Sequence, residues 1–415
     1  MKKNISLLIG LTLIIAYFLQ PMIAYGTLSS KPPNISSVSA ILIDANSGRV
    51  IYEKNANKKM YPASTTKILT CIMALEKSNL SDIVTVGDLS SKGLGYSVNM
   101  NLAYGETLKL EQLLYGMMLR SSNDAAVVIA EHVSGSVDNF GIEMTKKAKG
   151  LGAKSSNFVN PNGLFDKKQY TTARDMSLIA KYAMKNEKFR DIVSTIRYSI
   201  PATNKRELRD YISNGNQLIW KGGQYKYPYA IGIKTGYIPQ SRNCLVSAAK
   251  KNGVELIAVV LKANGKVMYT ESIKLFNYGF DNFSQKNVMT KGQIVTTASV
   301  EKTGHKFNLT AEKDVSLLLK AGEEKLIKTT VYVNPNLQLP IKKGDVYGTV
   351  TIKFNEQLID KVNLVSNEDI AKKLLPTVKA PRFWWVYPII GFILWRAYLG
   401  FSRKKRRRAR RPKYY

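Results

Sequence analysis

Ser64, Thr65, Thr66 and Lys67 lead into apolar residues at helical spacing, Ile68, Leu69, Ile72, Met73 and Leu75, and this junction constrains the chain more than any other stretch. Pro62 suits a helix start. Residues three apart on a helix share a face, so the Ser64 hydroxyl and the Lys67 amine are expected side by side. The same spacing recurs at Ser247 with Lys250, Ser299 with Lys302 and Ser402 with Lys405. The first two of these fall in expected strands, where residues three apart face opposite sides, and the last falls in a basic tail. Only Ser64 opens a helix, whose free N–H groups and dipole stabilise a developing oxyanion. A fold that uses this pair must bring other chemistry to it.

Two further segments have that chemistry, in order. Ser121 and Asn123 form S-x-N in a polar stretch, 120–124, between expected helices 110–119 and 125–133; the pattern also occurs at Ser97 with Asn99 and Ser155 with Asn157. Lys234, Thr235 and Gly236 end an expected strand that begins at 230, and an identical triplet, Lys302, Thr303 and Gly304, lies further on in the expected β domain. Singly, these residues read equally well as a solvated lysine, a helix-capping loop and a plain turn. Their ordered occurrence within one expected domain weighs against those readings.

The 415 residues suggest two folded domains with appendages. Residues 40–43 and 49–52 read as a hairpin around Ala45, Asn46, Ser47 and Gly48, and 244–249 and 255–261 as further strands. With the helix over 65–77, this gives an α+β domain, a sheet with helices around it, over residues 36–280. Beyond Asn282 the pattern is strand and turn: 293–300, 315–319, 326–333 and 346–354, punctuated by glycine, predict a small all-β domain over 281–370 and then a linker over 371–382.

The ends carry the appendages. Lys2 and Lys3 precede an apolar run over 5–19, and Ala24 and Gly26 are small residues suited to cleavage, which favours a signal peptide over 1–26 rather than a retained anchor. A second apolar run, 383–401, is interrupted by Arg396 and followed by the basic tail 402–415. It is expected to span the membrane, with Trp384, Trp385 and Tyr387 at the outer interface and the tail in the cytoplasm; a helix lying flat on the membrane is the rival. The formal charge of +32 does not indicate nucleic acid, because nine of the charges sit in the tail and an exported body meets none. A basic body outside the membrane instead suits anionic envelope polymers or carboxylate substrates. Cys71 and Cys244 are either a disulfide or two free thiols.

Residues 43–67 (IDANSGRVIYEKNANKKMYPASTTK), 105–126 (GETLKLEQLLYGMMLRSSNDAA), 158–175 (FVNPNGLFDKKQYTTARD) and 232–237 (GIKTGY) resemble the low-molecular-mass penicillin-binding D-Ala-D-Ala carboxypeptidases. The resemblance covers 36–280, and the β region resembles that family's second domain. It implies a β-lactamase/transpeptidase-like fold with an antiparallel sheet, no metal and no cofactor. The implied substrates are peptidoglycan stem peptides ending in D-Ala-D-Ala, and the implied inhibitors are β-lactams. Ser64 is then the nucleophile, Lys67 its base and Ser121 a proton relay. Asn123 holds the substrate amide and Lys67, Lys234 and Thr235 bind the terminal carboxylate, Gly236 leaves room for substrate backbone, and Tyr237 lends an N–H to the oxyanion hole.

The chain departs from the family at Asn162 and Gln169, where histidine is frequent, and at Ile238, Ser241 and Arg242; these changes bear on substrate preference. The two histidines, His132 and His305, are too few and too scattered for a Ser-His-Asp hydrolase or a zinc site. A β-lactamase of class A needs a glutamate for deacylation, and residues 155–172 contain none. A transpeptidase and a catalytically silent wall scaffold complete the alternatives.

Overall fold

The computed structural model describes residues 31–371, except Tyr96 and Lys302, and residues 385–408. The expected signal peptide, nearly all of the linker and the end of the basic tail lie outside the described residues. The chain forms two compact units: one runs to Lys291 and adds Lys313–Thr330 and Thr351–Val362, the other comprises Gly292–Glu312, Val331–Val350 and the chain from Asn363.

The chain opens on the expected hairpin, β1 (Ser39–Asp44) with β2 (Val50–Lys54). A 3-10 turn, Ala63–Thr66, runs straight into α1 (Lys67–Lys77). A short hairpin, β3 (Ile83–Thr85) with β4 (Thr107–Lys109), leads to α2 (Leu110–Tyr115), which widens into a π turn, Gly116–Arg120, before α3 (Asn123–Ser134). The loop expected over 120–124 therefore shrinks to Ser121 and Ser122. Next come α4 (Val137–Gly150), α5 (Ala173–Ala183) and α6 (Glu187–Ser194), each started by a side chain, Ser136, Thr172 or Asn186, that accepts the N–H three residues on. A second small hairpin, β5 (Arg197–Ile200) with β6 (Arg209–Ser213), precedes β7 (Ala230–Ile238), β8 (Arg242–Lys251), β9 (Val254–Ala263) and α7 (Val267–Asn282).

The main sheet has the order β2-β1-β9-β8-β7 and is antiparallel at every pairing. Alternation along a strand sends successive side chains to opposite faces, and here both faces are covered. Ile41, Ile43, Ile257, Val259 and Leu261 pack with Ile68, Leu69 and Ile72 of α1, whereas Ala40, Leu42, Leu256, Ala258 and Val260 pack with Phe276 of α7. Each fully buried leucine or isoleucine contributes about 1.5–3 kcal/mol. The sheet thus fixes β7 on one side and α1 on the other of a shared boundary, which positions the site. Cys71 and Cys244 are buried free thiols, and burial pushes both upward in pKa, Cys244 to about 11.

From Phe283 to Ser366 the regular elements are strands, apart from one 3-10 turn, Glu323–Leu326. Strands β10 (Phe283–Met289) and β13 (Val315–Lys320) pair, and β11 (Ile294–Ser299), β12 (Lys306–Ala311), β14 (Ile327–Val333), β15 (Val346–Phe354) and β16 (Gln357–Ser366) form a sheet of order β11-β12-β16-β15-β14. A mixed α/β body followed by an all-β domain agrees with expectation. The spanning helix expected over 383–401 is not found: α8 (Val386–Arg408) starts later and runs into the basic residues, and no helix among the described residues is long and apolar enough to cross a membrane. Arg396 within the run and the cations from Arg403 dilute its hydropathy.

Candidate active site

The 3-10 turn places Ser64 one turn ahead of α1, so that Lys67, the first residue of the helix, points back at it. Lys67 is 0% exposed. Its Nζ lies 3.0 Å from Ser64 Oγ and donates to Asn123 Oδ1 and to the backbone oxygen of Asn162, each at 2.6 Å. Both of these oxygens can only accept. They therefore fix two N–H bonds of Lys67 and aim its remaining position at the Ser64 hydroxyl. In the neutral amine that position is a lone pair.

Electrostatics favour the neutral form. Burial, and then the positive charge of Lys234, hold the Lys67 amine well below the ordinary lysine range, against an opposing pull from Asp124. Lys234 sits on β7, 1% exposed, and burial lowers its pKa to about 7. Its Nζ donates to the Thr235 backbone oxygen at 3.2 Å.

Ser64, Ser121, Asn123, Thr235, Gly236 and Tyr237 line one cleft of about 510 Å³, with Lys67 and Lys234 buried behind it. All eight expected site residues thus belong to one locality. The second K-T-G does not join them: Thr303 and Gly304 lie in the turn between β11 and β12, and Lys302 is outside the described residues. Nor does either histidine: His132 pairs with Asp82 at 3.2 Å, and His305 lies in that same turn. Among the described residues no cluster of His, Cys, Asp or Glu could hold a metal ion.

Local backbone builds the cleft. The π turn ends with Ser121 in the left-handed region, φ 70°, its N–H donating to Gly116 O. That conformation is rare for serine and turns its side chain toward the cleft before α3 begins at Asn123. Gly236 also allows a close approach within the protein. A Cβ there would lie 3.0 Å from Ser64 N and 3.1 Å from Thr65 N, so the missing side chain lets β7 approach the turn that carries Ser64. Gly163, at φ 85°, is tighter still: a Cβ would meet Ala63 O at 1.9 Å.

Several residues that bear on the site were not singled out from the sequence. Asp124 accepts from the backbone of Met100 at 3.0 Å and of Leu102 at 3.1 Å, while Val98 O accepts from Asn123 N at 2.8 Å. These bonds fasten the 97–102 wall to the start of α3. Ser97 lines the cleft, and its hydroxyl is buried without a hydrogen-bond partner among the described residues. Gln169, read only as a departure, accepts from Val159 N and Asn160 N at 2.9 and 3.0 Å and so holds the loop whose Asn162 oxygen meets Lys67. Such contacts join residues far apart in sequence, so spacing does not announce them.

Comparisons with known proteins agree with this geometry. Residues 27–265 match the family model described as D-alanyl-D-alanine carboxypeptidase, and residues 283–372 match that of the penicillin-binding protein 5 C-terminal domain. The chain is 32% identical over 342 residues to the D-alanyl-D-alanine carboxypeptidase DacF of Bacillus subtilis, covering 80% of this chain and 86% of that one. Among solved structures it is similar to penicillin binding protein 5 from Haemophilus influenzae, with 30% identity and a TM-score of 0.68 over 83% of this chain and 100% of the other. It is also similar to the Streptomyces K15 DD-transpeptidase, with 32% identity and a TM-score of 0.56 over 60% of this chain and 99% of the other.

Proposed function

The chain belongs to the D-alanyl-D-alanine carboxypeptidase family of low-molecular-mass penicillin-binding proteins, and from that membership we propose that Ser64 is the nucleophile with which it removes the terminal D-alanine from peptidoglycan stem pentapeptides. Ser64 Oγ attacks the carbonyl carbon between the last two D-alanines while Lys67, as a neutral amine, takes the hydroxyl proton. The proton passes by way of Ser121 to the leaving nitrogen, the C–N bond breaks, and free D-alanine departs. Water then attacks the ester and restores the serine.

The remaining residues hold the substrate. Lys234 and the Thr235 hydroxyl receive the terminal carboxylate, whose negative charge favours the protonated form of Lys234. Asn123 orients the peptide amide along with Lys67. The N–H groups of Ser64 and Tyr237 face the developing oxyanion, and close packing at Gly236 sets their spacing. A β-lactam presents the same carbonyl and carboxylate, but its leaving nitrogen stays tethered, so the ester accumulates.

The observation that carries this reading is the Lys67 amine, buried and pinned by two carbonyl oxygens with its third position on Ser64 Oγ. Release of D-alanine from a stem-pentapeptide analogue, blocked by penicillin, tests it. D-alanine leaves in the acylation step whichever acceptor follows, so an acyl group recovered on an added amine rather than as the free carboxylate would instead favour transpeptidation, and absence of any D-alanine release would leave a scaffold.

The same reading includes export behind the signal peptide 1–26, domains over 36–280 and 281–370, and attachment to the outer face of the cytoplasmic membrane. The apolar residues exposed on α8, among them Ile389, Ile390, Phe392, Ile393 and Leu394, and the basic residues after it support attachment at an anionic surface. Protease accessibility of the Arg-rich end in intact cells tells a tail outside the membrane from one inside.

A further inference from the structure

A second cavity, of about 410 Å³, adjoins the catalytic cleft and has a different character. Four lysines line it, Lys58, Lys59, Lys167 and Lys262, together with the rings of Tyr61 and Tyr170. No acidic residue lines it, and none of the four lysines forms an ion pair among the described residues. Like charges gathered without a counter-charge repel one another, which weighs against a purely structural role. Lys59 Nζ sits 4.2 Å from the Tyr170 ring centre, so cation and aromatic face are presented together.

The backbone aims one of these lysines at a cost. Lys262 has φ 58°, a left-handed value inside strand β9, where the pairing with β8 slips between Asn243 and Leu245. A bulge of this kind turns a side chain away from its regular direction. Here the side chain joins the cavity.

Three chain segments run through both cavities. Ser64, Gly163, Leu164, Ile238 and Pro239 line the catalytic cleft, and Tyr61, Lys167, Tyr170, Gln240 and Ser241 line the cationic one. A ligand long enough to leave the cleft along these segments meets the lysines. We propose that this cavity is a second substrate site, which takes carboxylates of the peptidoglycan beyond the scissile D-Ala-D-Ala, with sugar or peptide surface against Tyr61 and Tyr170. The proposal rests on the carboxypeptidase reading for its ligand. The lysines supply affinity for the polymer and take no part in bond cleavage.

The test measures binding apart from turnover. Full-length Ser64→Ala protein is sedimented with peptidoglycan stripped of phosphodiester polymers, in parallel with the same protein carrying Lys59→Glu and Lys167→Glu, and with a control carrying Lys146→Glu and Lys149→Glu on the exposed face of α4. The control makes the same change in net charge. The proposal predicts about ten-fold weaker binding for the cavity pair only, a difference that fades as salt is raised. Equal weakening in both pairs, or none in either, overturns it. So does a lysine dependence seen only before stripping, which would assign the cavity to a phosphodiester polymer.

With Ser64 restored, the cavity pair should raise KM on polymeric substrate about ten-fold, while acylation by penicillin and hydrolysis of a short acyl-D-Ala-D-Ala peptide stay within about two-fold. Equal losses on short and polymeric substrates overturn the second site. Loss of D-alanine release from every substrate in the unsubstituted chain would instead remove the carboxypeptidase reading, and the sedimentation result would still decide whether the cavity binds peptidoglycan.

Discussion

Lys67 and Lys234, 0% and 1% exposed, differ from Lys58, Lys59 and Lys167, which are exposed, in one physical respect, the water around the amine. Removed from water, an ammonium loses its solvation, which lowers the proton affinity of both lysines, and the charge of Lys234 lowers that of Lys67 further. In the proposed mechanism Lys67 then serves as a base and Lys234 as a titratable anchor for a carboxylate. In water the same side chain is a cation suited to attracting a polymer. Burial therefore divides a uniformly basic composition, +32 overall, into catalytic and recognition roles.

The division can be broken by substitution, and the largest effect belongs to the nucleophile. Ser64→Ala should abolish covalent labelling by a fluorescent penicillin and lower D-alanine release by about 10⁴-fold or more. A label that persists would place the nucleophile elsewhere. Lys234→Ala leaves a substrate carboxylate without its buried cation, a loss of about 2–5 kcal/mol, which should appear mainly in kcat/KM for D-Ala-D-Ala peptides. An unchanged kcat/KM would mean that the carboxylate binds elsewhere.

Asp124→Asn sharpens the electrostatic half of the comparison. The Asp124 charge raises the Lys67 pKa, so its removal should move the acid limb of the acylation rate toward lower pH, because the free base then persists further into acid. Weaker hold on the Met100 and Leu102 N–H groups should also destabilise the fold by about 1–3 kcal/mol. A destabilised protein with an unmoved pH profile would restrict Asp124 to a structural part. The smallest effect should come from Lys59→Glu with Lys167→Glu, which should change penicillin acylation by less than about two-fold.

The two regions were unequally legible in the sequence. The hairpin, α1 and strands β7 to β9 follow from period and turn residues, and the expected strands fell short only at their ends, where β7 runs on through Lys234 to Ile238. Helices α4 to α7 and strands β3 to β6, β10, β12 and β16 went unread, because they are short or their apolar positions are few or interleaved with polar residues. The eight candidate site residues could be singled out because they fall in three short motifs of fixed order, which the fold brings to one cleft. Gly163, Asp124 and Gln169 were not, because what each does depends on a neighbour distant in the chain. The cationic cavity was invisible for the same reason: its lysines come from segments around 58, 167 and 262 and look like any others.

Acylation of Lys67→Arg by penicillin at neutral pH decides whether Lys67 acts as a base or only as a charge. Arginine keeps a cation and hydrogen-bond donors next to Asn123 and Asn162 but does not give up its proton, so a base is lost while a charge is kept. Acylation at Ser64, read from the mass of the labelled peptide, should fall by about 10²–10⁴-fold. Acylation within a few-fold of the unsubstituted chain would show that Lys67 acts only as a charge, and the neutral-amine mechanism would be wrong.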